Sequence, residues 1–66
     1  MKTYVLFIPE MTCQHCVNTI TRILESNDLH DYKFNLDQHL LTLSTDNIEK
    51  VTLLLSEAGY ESTIKN

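Results

Sequence analysis

The sequence predicts a small α+β domain with the element order β-α-β-β-α-β. Three observations carry the prediction. Apolar residues alternate at the strand period in three segments, around Leu6, Phe34 and Leu41. They recur at helical spacing in two others, around Ile20 and Val51. Turn-forming residues separate the segments, and a last short strand follows Gly59 and Tyr60.

Tyr4, Leu6 and Ile8 alternate with Val5 and Phe7, and both sets are apolar, which reads as a buried or two-faced first strand. Pro9 ends it, because proline cannot donate to a ladder. From Cys16 onward, Val17, Ile20, Ile23 and Leu24 form one apolar stripe of a helix, with Thr12 or Cys13 at its capping position. Ser26, Asn27 and Asp28 break that helix. Tyr32, Phe34 and Leu36 alternate with Lys33 and Asn35 as a half-buried second strand, and Asp37-Gln38 reads as a polar hairpin turn. Leu41 and Leu43 alternate with Thr42 and Ser44 in the return strand. Asp46 with Glu49 three residues later resembles a capping box for a second helix, whose stripe is Ile48, Val51, Leu55 and Ala58 with Leu54 beside it. Gly59 terminates that helix, and residues 61–64 make the last strand. This is the split-βαβ, ferredoxin-like pattern: a four-stranded antiparallel sheet with both helices on one face. Val5 and Phe7 then lie on the uncovered face, as ordinary surface-strand residues or as a contact for a partner.

Residues 1–66 read as a single domain. A chain this short buries only about 60% of its unfolded surface, which leaves no room for a deep substrate cleft, so a binding protein is expected rather than an enzyme. The net charge of −4 argues against nucleic acid, which demands a basic face. No apolar run approaches the roughly 18–20 residues that span a membrane, so no membrane insertion is expected. The run 4–8 is also too short and too strand-like for a signal peptide. A cytoplasmic, complete chain is the expectation.

The chemistry concentrates in Met11-Thr12-Cys13-Gln14-His15-Cys16, which holds both cysteines. Two thiols three residues apart, on a strand-to-helix loop, can converge on one soft metal ion. Copper(I) accepts two thiolates, whereas a structural zinc site normally takes four protein ligands. Unpaired backbone N–H groups at the helix start favour the Cys16 thiolate, which keeps its sulfur available for metal. The same spacing also serves thiol–disulfide exchange, and a thioredoxin-type domain, which is longer, or a zinc ribbon, which needs a second cysteine pair, fits this chain less well.

Placed after a first strand and at the start of a helix, this segment resembles the M-x-C-x-x-C motif of heavy-metal-associated domains. These are the soluble copper chaperones and the N-terminal metal-binding domains of copper-transporting P-type ATPases. The likeness extends over nearly the whole chain, including Gly59-Tyr60 before the last strand. It implies that Cys13 and Cys16 are the metal ligands, that Met11 tucks into the core and supports the loop, and that Tyr60 lies close to the metal. His15 and Tyr60 match the bacterial soluble chaperones in particular. His15 is expected to tune the thiolates rather than ligate, and His30 and His39 to stay apart from the metal. The chain departs from the family at Pro9-Glu10, where a glycine usually precedes the methionine, and at Asn27-Asp28-Leu29-His30, where a Gly-Val step is usual. Glu10 thereby sets a carboxylate beside the loop. The resemblance implies a Cu(I) metallochaperone that delivers copper to a P-type ATPase domain by thiolate exchange, with a metal-bridged homodimer as a second association. The alternatives are a carrier of zinc, cadmium or mercury, or a small thiol–disulfide redox protein.

Overall fold

Strands and helices follow one another in the expected β-α-β-β-α-β order. The computed structural model describes residues 2–65: β1 (Lys2–Phe7), α1 (Gln14–Ser26), β2 (Tyr32–Asn35), a 3-10 turn (Leu36–Gln38), β3 (Leu40–Thr45), α2 (Ile48–Glu57) and β4 (Thr63–Ile64). The strands form one antiparallel sheet in the order β2-β3-β1-β4. The architecture is the ferredoxin-like α+β fold with two helices on one face of the sheet.

Register explains the core. Leu41 of β3 lies opposite Leu6 of β1 and Phe34 of β2, and Leu43 lies opposite Tyr4 and Tyr32, so two apolar rows cross the sheet on one face. Ile20 and Leu24 of α1 and Val51 and Leu55 of α2 close over these rows in a single buried cluster that also takes in Ile8 and Met11. Each such side chain contributes about 1.5–3 kcal/mol by leaving water. Among the described residues, no helix is long and apolar enough to cross a membrane.

Several local expectations are corrected. α1 begins at Gln14, two residues before Cys16, while Cys13, one of the two expected caps, does hold the N-cap. Leu36 leaves the second strand and opens the 3-10 turn, because Asn35 caps that turn through its side chain, which accepts from the Gln38 amide. The helix α2 is capped by Asn47, whose Oδ1 accepts from Lys50 N at 3.2 Å, and not by an Asp46–Glu49 box. Thr45 Oγ1 accepts from Asn47 N at 3.1 Å and fixes the approach to that cap. The last strand spans only Thr63–Ile64 rather than residues 61–64. On the uncovered face Val5 and Phe7 are half-buried. The His39 ring meets Phe7 edge-on, and the Lys65 ammonium lies 5.7 Å from the Phe7 ring centre.

Candidate metal site

The cysteine loop is assembled from a turn, a buried anchor and an open helix end. Ile8 O accepts from Met11 N at 3.0 Å, closing a turn with Pro9 and Glu10 at its corners. Pro9 suits the first corner because its φ is already set there. Met11 follows with no exposed surface, packed in the main core cluster. The chain thus enters the loop from a fixed point, and the residues after Met11 swing out to solvent.

Cys13 is the N-cap of α1, in an extended conformation with φ −152° and ψ 170°, and its side chain makes no capping hydrogen bond. Its carbonyl accepts from Cys16 N and Val17 N instead. No acidic residue occupies the first turn. The positive end of the helix is therefore left to the two sulfurs. Cys13 is exposed and Cys16 is partly covered, both are free thiols, and their Sγ atoms are 3.6 Å apart.

Cys16 is set up to ionise near neutrality. Its thiol falls from the usual 9.0 to about 7, first through a backbone hydrogen bond from Thr12 and then through the Tyr60 hydroxyl, against a smaller opposing effect of desolvation. The Tyr60 phenol is correspondingly raised, chiefly because it donates to Cys16. In its thiol form Cys16 points its proton at the Glu10 carbonyl, 3.5 Å away. Glu10 thus meets the site through its backbone carbonyl.

Tyr60 owes its place to the end of α2. Gly59 has φ +92°, Gly59 N donates to Ser56 O at 3.0 Å and Tyr60 N to Leu55 O at 2.8 Å. That pair of bonds is a Schellman motif, which needs the left-handed residue that glycine supplies without strain. It reverses the chain so that Tyr60 packs on the core and turns its hydroxyl to Cys16.

His15 is exposed on the second position of α1, and its carbonyl accepts from Thr19 Oγ1. His30 lies elsewhere, with its Nδ1 2.7 Å from Glu25 Oε1, while Tyr32 OH donates to the other Glu25 oxygen at 2.7 Å. His39 is nearer than the sequence suggested: its Nδ1 is 2.7 Å from the Met11 carbonyl oxygen. No cluster of three or more His, Cys, Asp or Glu side chains able to hold a metal occurs among the described residues. The donor set at the loop is two soft sulfurs, which suits a soft ion of low coordination number. Thr12, Cys13, Gln14 and His15 are all exposed, so the loop presents Cys13 to solvent with Cys16 partly covered behind it.

Comparison with known proteins bears on the family and the fold. The family model of the heavy-metal-associated domain matches residues 5–61. A heavy metal binding protein from Thermotoga maritima superposes with a TM-score of 0.86 at 26% identity, over 98% of this chain and 94% of that one. The N-terminal domain of PacS from Synechocystis gives 0.88 at 19% identity, with all of both chains covered. A yeast copper transporter domain, solved in apo and Cu(I)-loaded states, gives 0.82 at 20% identity, over 100% of this chain and 97% of that one. No curated relative matches the sequence.

Proposed function

The chain belongs to the heavy-metal-associated domain family, and from that premise we propose that it is a cytoplasmic copper(I) carrier whose residues 1–66 act as one domain. Cys13 and Cys16 hold the ion as paired thiolates. The observation that supports this most is the pair itself: two free sulfurs 3.6 Å apart on an exposed loop, at a helix end with no acid of its own. Two thiolates are a donor set for which a soft monovalent ion is better matched than zinc, which fills four positions.

Such a site can pass its ion on. An incoming thiolate of a partner forms a bond to copper as one of the chain's own sulfurs leaves, through a three-coordinate intermediate, so copper is never released to water. The partner we assign is the metal-binding domain of a copper-transporting P-type ATPase. A metal-bridged homodimer uses the same exposed loop. Met11 anchors the loop in the core, Tyr60 steadies the Cys16 thiolate through its hydroxyl, and Glu10 acts through its carbonyl. His15 tunes the electrostatics of the loop from the first turn of α1. No catalytic role is assigned to any residue.

The test is a titration of reduced, oxygen-free protein with copper(I) against a chromophoric chelator, with zinc as competitor and Cys13→Ser alongside. One tightly held copper per chain, lost in the variant and untouched by zinc, is expected. Weak copper binding with strong zinc retention overturns the cargo, and turnover of a protein disulfide by the reduced chain would favour redox exchange instead.

A further inference from the structure

His39 touches the cysteine loop from the opposite side of the domain's chain, 28 residues away from Met11 in sequence. Its ring Nδ1 lies 2.7 Å from the Met11 carbonyl oxygen. A carbonyl has no proton to give, so the ring must donate, and Nδ1 must carry the hydrogen. The His39 backbone holds the same loop a second time, because its carbonyl accepts from Ile8 N at 2.8 Å. Ile8 and Met11 are the two ends of the Pro9-Glu10 turn. One residue therefore grips both ends of the turn whose Glu10 carbonyl meets Cys16 Sγ and whose exit leads to Cys13.

The backbone of His39 sharpens the point. It closes the 3-10 turn between β2 and β3 with φ +59° and ψ +37°, the left-handed region where glycine or asparagine is the usual choice. The hairpin alone does not require an imidazole there. The ring is half-buried and meets Phe7 edge-on, with ring centres 6.1 Å apart. The ring is thus held in the direction that aims Nδ1 at the loop.

We propose that His39 is a positioning residue for the metal loop: its Nδ1–H, with its own carbonyl, fixes the turn from Ile8 to Met11 and so sets where the two cysteines stand. The inference rests on the metal-carrier reading for its consequence, but the contact itself is open to a metal-free test. Groups that orient ligands from behind commonly change metal affinity by about 10–100-fold when removed. His39 acts in that manner, through a backbone carbonyl rather than through a ligand side chain.

Two variants separate the donor from the backbone. His39→Gly relaxes the left-handed residue and deletes the ring. His39→Asn also tolerates that conformation and keeps an N–H donor branching from the same carbon as Nδ1. In the copper-free protein, amide hydrogen exchange over residues 10–16 is expected to quicken in His39→Gly and return towards the wild-type rate in His39→Asn. In the copper-loaded protein, release to a chelator is expected to be about tenfold faster in His39→Gly and rescued in His39→Asn. Nitrogen NMR of the wild-type neutral ring is expected to show the Nδ1–H tautomer. The Nε2–H tautomer, wild-type behaviour in His39→Gly, or equal loss in both variants overturns the proposal. Failure of the wild-type chain to hold copper overturns the carrier reading instead, and the exchange and tautomer measurements still decide the role of His39.

Discussion

The junction from β1 to α1 and the junction from β3 to α2 are the same step of the fold taken twice, and they are closed in different ways. At the second, the N-cap side chain of Asn47 accepts from Lys50 N, Thr45 Oγ1 accepts from Asn47 N, and Glu49 sits in the first turn. The helix end is satisfied by its own residues. At the first, Cys13 occupies the N-cap without a side-chain bond and no acid follows in the first turn. The amides and the positive end of α1 are left for the thiolates and whatever they hold. The difference teaches how one fold serves two ends: the β3–α2 junction is built for stability, while the β1–α1 junction gives up a cap to keep an anion-friendly, sulfur-bearing surface open.

The contrast is broken most severely at the cysteines. Removing orienting groups alone costs about 10–100-fold in metal affinity, so loss of a ligand in Cys13→Ser or Cys16→Ser is expected to exceed about a hundredfold, read by chelator competition. Cys13→Ser should at the same time supply the missing cap. Because a serine N-cap is worth about 1 kcal/mol over a non-capping residue, the metal-free variant is expected to melt about 4–8 °C higher. A variant that loses copper and gains stability would show that the open cap is kept for function.

The next largest effect lies at the far ends of the two helices. Both close with the same motif: Leu29 N donates to Leu24 O and Asp28 N to Glu25 O, as Tyr60 and Gly59 do in α2. In α2 the left-handed residue is glycine, at φ +92°, and in α1 it is Asp28, at φ +59°. A Cβ at Gly59 would meet nothing within 4 Å, so Gly59→Ala costs only the conformational penalty of about 1–2 kcal/mol. Asp28→Gly is expected to stabilise by up to about 1 kcal/mol, since it relieves that penalty, and to leave copper binding alone. Thermal melts of the two variants should move in opposite directions.

A comparable loss is expected at the closed junction. Asn47→Ala should cost about 1 kcal/mol in denaturant titration and leave copper affinity unchanged. If it weakens copper binding, the two junctions are not separable.

The smallest effect is the tuning of Cys16. Its folded thiol sits at about 7 against the usual 9.0, so its ionisation stabilises the folded protein fully above about 9, and that contribution is lost as pH falls through about 7. Tyr60→Phe removes one of the two main causes and should raise the midpoint of the thiolate ultraviolet absorbance while leaving the Thr12 contribution in place. An unmoved midpoint would assign the shift to the hydrogen bonds from Thr12 and Cys13 instead.

The fold was legible because its elements announce themselves through periodicity: Leu6, Leu41 and Leu43 for the sheet, and Ile20, Leu24, Val51 and Leu55 for the helices, are the residues the core buries. The cysteine loop was legible as a motif, and Gly59 as a terminator, since the left-handed cap needs that residue. Local competition hid the rest. Asp46 and Asn47 are both good caps, and only the path set by Thr45 decides for Asn47. The contact of the Glu10 carbonyl with Cys16 depends on the path of the turn and not on the glutamate side chain, so no residue pattern announces it. The grip of His39 on Met11 spans two elements distant in sequence, and no local pattern encodes such a contact.

The most direct test is X-ray absorption at the copper edge on reduced protein loaded with one equivalent of copper(I). Two sulfur scatterers at one short distance, from Cys13 and Cys16, with no nitrogen or oxygen in the same shell, are expected. A nitrogen scatterer from His15, or an oxygen scatterer from Glu10, would contradict a site made of two thiolates at the open end of α1.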